Sequence, residues 1–133
     1  MGTLIDTSVL VAAQRDQIDL SRIAAAQPTE TVAIPAVCAA ELLHGPYRLP
    51  HAVARSRAEQ RVEQLIASFP VIAFDREMAR VQARLGAELA GKGAQVGAHD
   101  LMIAATGVWL DYRIATRDLR SFPKIRGLNV VKW

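Results

Sequence analysis

The chain has 133 residues, 51% hydrophobic and 22% charged, and its formal charge is +3. This length fits one domain, residues 1–133, that buries about two-thirds of its unfolded surface without a disulfide or a structural metal. The single cysteine, Cys38, excludes an internal bridge and suits a reducing cytoplasm. Met1 to Asp6 lacks a basic region followed by an apolar one, and the apolar run Leu101 to Leu110 is too short to cross a bilayer. The expectation is a soluble cytoplasmic protein without a membrane partner. Thirteen of the 16 basic residues are arginine, whose fork fits phosphate oxygens in pairs, although an arginine- and alanine-rich composition also follows from a GC-rich genome.

Thr3-Leu4-Ile5 reads as a first strand, stopping at Asp6-Thr7-Ser8 before a buried helix through Val9, Leu10 and Val11. Asp6 thus stands at a strand's carboxyl end, with Thr7 and Ser8 as rival caps of the same helix. Asp19 caps a short helix that Pro28 ends. Thr31 to Ile34 forms a second strand, and Pro35 opens a helix carrying Cys38, Glu41, Leu42 and His44, which Gly45-Pro46 should close. Glu41 is the sole acid on a helix that is apolar nearly all round, so it needs a cation, a donor or a water-filled cleft.

From Pro50 to Phe69 the stripe Ala58, Val62, Leu65, Ile66 and Phe69 predicts an amphipathic helix whose arginines and glutamates face solvent. Val71 to Phe74 reads as a third strand. Asp75 then caps a helix with Met78, Val81, Leu85 and Leu89 inward and Arg76, Arg80 and Arg84 outward, ended by Gly91-Lys92-Gly93. No GxxxxGK[ST] pattern occurs in the glycine-rich turn after it, which excludes a P-loop.

Asp100 heads the apolar run Leu101-Met102-Ile103-Ala104-Ala105, where the helix dipole favours an acid. Tyr112 to Thr116 is a fourth strand, Asp118 falls just beyond it, and Leu128 to Trp133 is a last strand placed at an edge by Lys132. Strands alternate with helices throughout. They predict an α/β three-layer sandwich with a mostly parallel central sheet of four to five strands flanked by helices.

In such sheets the functional crevice lies outside the strands' carboxyl ends, where Asp6, Thr116 and Asp118 all fall. Carboxylates about 5 Å apart repel by roughly 3 kcal/mol per pair at an effective dielectric near 20, a large share of a domain's stability. Protons or divalent cations must intervene, and oxygen ligands without sulfur or a His pair favour Mg²⁺ or Mn²⁺ over zinc. His44 and His99 have no metal-binding spacing and read as neighbours of the site. Such an ion activates water and offsets charge on a phosphodiester, which points to a nuclease or phosphatase. Cys38 lies among apolar neighbours and offers no rival nucleophile.

Asp6-Thr7-Ser8-Val9-Leu10, Glu41-Leu42-Leu43-His44-Gly45, Asp100-Leu101-Met102-Ile103-Ala104-Ala105 and Ala115-Thr116-Arg117-Asp118-Leu119-Arg120-Ser121-Phe122 together resemble the PIN-domain ribonucleases, and among them the VapC-type toxins of toxin-antitoxin pairs. The resemblance covers essentially the whole chain in the right order. It implies a Mg²⁺- or Mn²⁺-dependent endoribonuclease with Asp6, Glu41, Asp100 and Asp118 as the acidic cluster and Thr116 supporting it through a hydrogen bond. It further implies a homodimer, a tRNA or ribosomal RNA substrate, and a cognate small antitoxin that blocks the cleft. Asp118 stands where related sequences also carry asparagine. Metal-activated water would attack phosphorus, with Asp6 and Asp100 holding the ion and Glu41 and Asp118 completing the set. Arg117 and Arg120, then Lys124 and Arg126, are the residues placed to meet the RNA backbone. Two other readings remain: a phosphatase of the HAD type, which expects an aspartate where Ser8 stands, and a catalytically silent nucleic-acid or partner-binding module on the same fold.

Overall fold

The computed structural model describes residues 1–133. Strand β1 (Gly2–Ile5) passes into α1 (Thr7–Gln14) and α2 (Leu20–Ala25), and β2 (Thr31–Pro35) is followed by α3 (Ala36–Tyr47) and α4 (Ala52–Ala67). Then come β3 (Val71–Ile72), α5 (Arg76–Gly91), α6 (Ala98–Leu110), β4 (Tyr112–Thr116), a 3-10 turn (Phe122–Lys124) and β5 (Val130–Lys132). The five strands form one sheet in the order β3-β2-β1-β4-β5, every pair parallel. The right-handed rule for parallel crossovers puts α1 to α4 on one face and α5 with α6 on the other. The packing of α1 on α3, α3 on α4 and α5 on α6 agrees with that assignment.

β1, fully buried along its length, is the centre of the sheet, and β1, β2 and β4 contribute Leu4, Ile5, Ala33, Ile34 and Ile114 to one connected core of 19 buried residues. Helix α6 comes unusually close to β4 at Gly107, where an added Cβ would stand 2.9 Å from Ile114 Cδ1 and 3.0 Å from the Tyr112 carbonyl oxygen. That close approach seats α6 with its N-terminal turn at the carboxyl end of the sheet.

Two elements depart from expectation. Helix α3 does not close at Gly45-Pro46 but runs on to Tyr47, with Pro46 buried in its last turn. A proline so near the end forgoes a single helical bond, and the turn is completed by Arg48 and Leu49 donating to the Gly45 and Pro46 carbonyls. The third strand is only Val71–Ile72, because its partner β2 ends at Pro35, paired with Ile72, and leaves Ala73 and Phe74 nothing to pair with. No helix is long and apolar enough to cross a membrane.

Candidate active site

The chain leaves β1 toward β2 on one side and returns later to β4 on the other, so the strand order reverses between β1 and β4. A crevice opens at the carboxyl ends of strands where that happens. Asp6 follows β1 there, its N–H still bonded to the Ala115 carbonyl of β4 at 2.9 Å.

Asp6 occupies the N-cap position of α1 but makes no side-chain capping bond. Its Oδ2 instead accepts from Ser8 Oγ at 2.7 Å and from Thr116 Oγ1 at 2.8 Å. Those two hydroxyls are themselves fixed: Ser8 Oγ accepts from the Arg117 N–H at 3.0 Å, and Thr116 Oγ1 from the Asp118 N–H at 3.0 Å. Asp6 is 5% exposed and Thr116 fully buried, so the carboxylate is held rigidly with Oδ1 left without a donor.

Asp100 lies in the first turn of α6. Burial raises its carboxyl above the usual carboxylate range, the negative charge of Asp6 adds to this, and Asp118 and Glu41 contribute further, against a hydrogen bond from Ser121 that lowers it. The helix dipole acts to lower it too, so burial and crowding outweigh both. Asp6, Asp118 and Glu41 therefore all act on Asp100, although the four acids come from separated parts of the chain.

Two of the four also have nitrogen-bearing partners. Glu41 Oε1 on α3 is 3.2 Å from Nδ1 of the mostly exposed His99. Asp118 Oδ1 accepts from the Arg120 N–H at 3.0 Å and from Arg120 Nε at 3.1 Å, and that Arg120 bonding holds its carboxyl below the ordinary range. Beneath the site, burial pushes the Cys38 thiol up to about 12, with the charges of Asp6 and Glu41 adding to the rise.

Residues 3–128 match the family described as PIN domain. A protein named Ribonuclease VapC from Rickettsia bellii is 30% identical over 131 residues, which is 98% of this chain and 96% of that one. The chain belongs to the VapC group of PIN-domain proteins. The tRNA(fMet)-specific endonuclease VapC of Salmonella typhimurium is 30% identical over 105 residues, covering 79% of this chain and 77% of its own. Among solved structures, the DNA-bound VapBC complex of Salmonella typhimurium superposes with a TM-score of 0.89 at 26% identity over 100% of this chain and 98% of that chain. VapBC2 of Rickettsia felis, bound to a promoter DNA fragment, shares the fold at a TM-score of 0.90 and 21% identity, covering 100% and 99% of the two chains.

Against this VapC frame, Asp6, Glu41 and Asp118 stand near enough to Asp100 for their charges to act on it, but the four are gathered less tightly than electrostatic crowding predicts. No three His, Cys, Asp or Glu side chains converge on a common point as a ligand shell. Glu41 turns to His99 and Asp118 to Arg120, which draws two of the four acids away from a common point. The four carboxylates offer only hard oxygens, and Asp6 Oδ1 accepts no hydrogen bond, a set whose chemistry would fit Mg²⁺ or Mn²⁺ better than a soft metal. Arg117 reaches the Trp133 carbonyl at 3.2 Å and Arg120 is tied to Asp118, while Lys124 and Arg126 form no salt bridge. Sequence reasoning missed Ser8 as a partner of Asp6, reading it as a rival cap; a hydroxyl two residues after a carboxylate that ends a strand was the available signal. Ser121 left no signal, since only the fold of the loop after β4 brings it to Asp100.

Proposed function

We propose that the chain is a divalent-metal-dependent endoribonuclease, the toxin of a toxin-antitoxin pair. The observation that carries this reading is the Asp6 carboxylate: placed as a cap, unused as a cap, and locked by two hydroxyls toward a crevice that three further acids border. Asp6 and Asp100 would hold the Mg²⁺ or Mn²⁺, with Glu41 and Asp118 binding its water or a second ion. The ion supplies Lewis-acid activation of water and offsets charge developing on the phosphodiester.

The protein's own groups do the positioning. Ser8 and Thr116 fix the plane of the Asp6 carboxylate, and Thr116 also binds the Asp118 N–H, so one hydroxyl couples the ends of β1 and β4. The raised Asp100 carboxyl favours the exchange of a proton for a cation, because neutralising any one acid relieves the others. RNA of the tRNA or ribosomal class is the substrate in this reading. Arg117 and Arg120 lie next to Asp118 for its backbone, with a small antitoxin filling the crevice and a second copy of the chain as partner. Support for the RNA and the antitoxin comes from the endonuclease relative and from the complexes in which the structural neighbours were solved.

The purified chain incubated with a tRNA pool and Mg²⁺ or Mn²⁺ is expected to release discrete fragments, and EDTA to stop it. Intact tRNA and intact ribosomal RNA in both cations would refute the nuclease reading. Expression of the chain alone should arrest growth; harmless expression together with active cleavage would remove the toxin part only.

A further inference from the structure

The acids at the crevice repel the polyanion they are proposed to cut, while the whole chain carries a formal charge of +3. Cations beyond Arg117 and Arg120 at the crevice must therefore help to hold the strand. One concave place collects them. A cavity of about 580 Å³ is lined by Arg84, Glu88 and Lys92 from α5 and its end, by Arg126 and Gly127 ahead of β5, and floored by Leu85 and Val108. It holds three cations against one acid. Lys92 and Arg126 form no salt bridge, and the Arg84 contact to Glu88 is 3.8 Å between two well-exposed side chains, a pairing worth little.

The notch is joined to the acid crevice by chain. From Asp118 onward, Phe122 and Ile125 are buried at 1% and 4% exposure, whereas Arg120, Lys124 and Arg126 remain exposed. The buried pair anchors the loop, and its cations face solvent in a row in which Asp118 is the sole acid. Gly127, at φ +81°, has open space where a Cβ would stand, so the backbone beside Arg126 is uncovered.

We infer that the Arg84–Lys92–Arg126 notch binds the phosphate backbone of an RNA strand whose scissile bond lies at the Asp6–Asp100 crevice. Phosphate contacts of this kind position a strand without reading its sequence. The stretch from Asp118 to Arg126 spans at most about 28 Å, or roughly eight nucleotides at about 3.4 Å each, so an RNA strand of tRNA length is long enough to reach both the crevice and the notch. The inference rests on the endoribonuclease reading for where the cut is made, and its test separates the two.

Binding of labelled tRNA is measured in EDTA, where nothing is cleaved, for the wild type and for a variant combining Arg84→Gln, Lys92→Gln and Arg126→Gln. All three side chains are exposed, so the fold is not at risk. The variant is expected to bind about tenfold more weakly, with the slope of log affinity against log salt smaller by about 2, the loss of three single-strand phosphate contacts. With Mn²⁺ added, KM for tRNA should rise. Unchanged tRNA affinity and salt slope would overturn the inference. So would a variant that keeps its RNA affinity but loses self-association, which would mark the notch as a contact between copies. A wild type that binds tRNA through the notch but cuts nothing would keep the notch as a phosphate-binding site and remove the nuclease reading.

Discussion

Asp75 and Asp6 stand at the same place in their local structures, one residue ahead of a helix in extended backbone, and their carboxylates go different ways. At α5, Asp75 Oδ1 accepts from the Met78 N–H at 2.9 Å, which satisfies one of the open donors of the first turn. At α1, Asp6 leaves its helix uncapped and bonds Thr116, 110 residues away on a neighbouring strand. A cap stabilises the element it belongs to. A carboxylate withdrawn from that duty, buried, and fixed by hydroxyls gives up local stability, and the gain has to be sought in what the site binds.

The sharpest break of this comparison exchanges the two roles. Asp6→Asn should lower metal-dependent RNA cleavage by at least about 100-fold, the loss that follows when several kcal/mol of charge stabilisation disappears from the transition state. Asp75→Ala should leave cleavage by the folded protein unchanged and cost about 1 kcal/mol of stability, a fall of a few degrees in melting temperature. Fragment yield and thermal melts on both variants decide it. If Asp6→Asn melts far lower but cuts RNA normally, Asp6 is a structural residue after all.

Next in size is Ser8→Ala. Ser8 ties Asp6 to the Arg117 N–H, so its loss frees the carboxylate on one side without removing it. A drop of about tenfold in kcat, with KM for a short RNA little changed, is expected if orientation of Asp6 matters. A change in melting temperature alone, with kcat intact, would reduce Ser8 to a packing residue.

What was legible in the sequence follows from the same contrast. Patterns carried by neighbouring residues could be read: the strand and helix alternation, the Asp19 cap that accepts from the Arg22 N–H, the Asp75 cap, and the edge position of β5. Pro46 was misread because proline ends helices by rule, yet in a last turn it removes only one bond and its ring packs in the interior. The four acids could be found one by one, as carboxylates in places too apolar for them. Their pairing with His99 and Arg120, which loosens the expected cluster, could not be read, since it depends on how α3, α6 and the loop after β4 meet.

A smaller effect separates crowded acids from paired ones. The folded-state value of Asp100 is raised by burial first and by the charge of Asp6 next, so at neutral pH the metal-free protein carries a desolvation and repulsion cost that the unfolded chain does not. As pH falls through the raised value, the folded state takes up its proton first, and this contribution to stability rises with acidification until the unfolded carboxyl protonates as well. Asp100→Asn should therefore melt at an equal or higher temperature than the wild type at pH 7 in EDTA, and the difference should shrink toward the ordinary carboxylate range. Asp118 runs the opposite way: its lowered value adds stability that is lost as acid protonates it. Melts between about pH 4 and pH 8 read both, and a D100N variant that melts lower at pH 7 would show that the acids do not crowd one another.

The smallest expected effect concerns Cys38, fully buried on α3 three residues before Glu41. Burial and the two nearby carboxylates push its thiol up to about 12, so it holds almost no thiolate at neutral pH. An alkylating reagent should fail to label the native protein at pH 8 and label it readily in denaturant, with cleavage unaffected by the reagent. Fast labelling of the native chain would mean that α3 opens beneath the crevice. Glu41, carried on the same helix, would then be far less fixed than its contact with His99 indicates, and the contrast between a rigid Asp6 and a merely capping Asp75 would have to be redrawn with a mobile third acid.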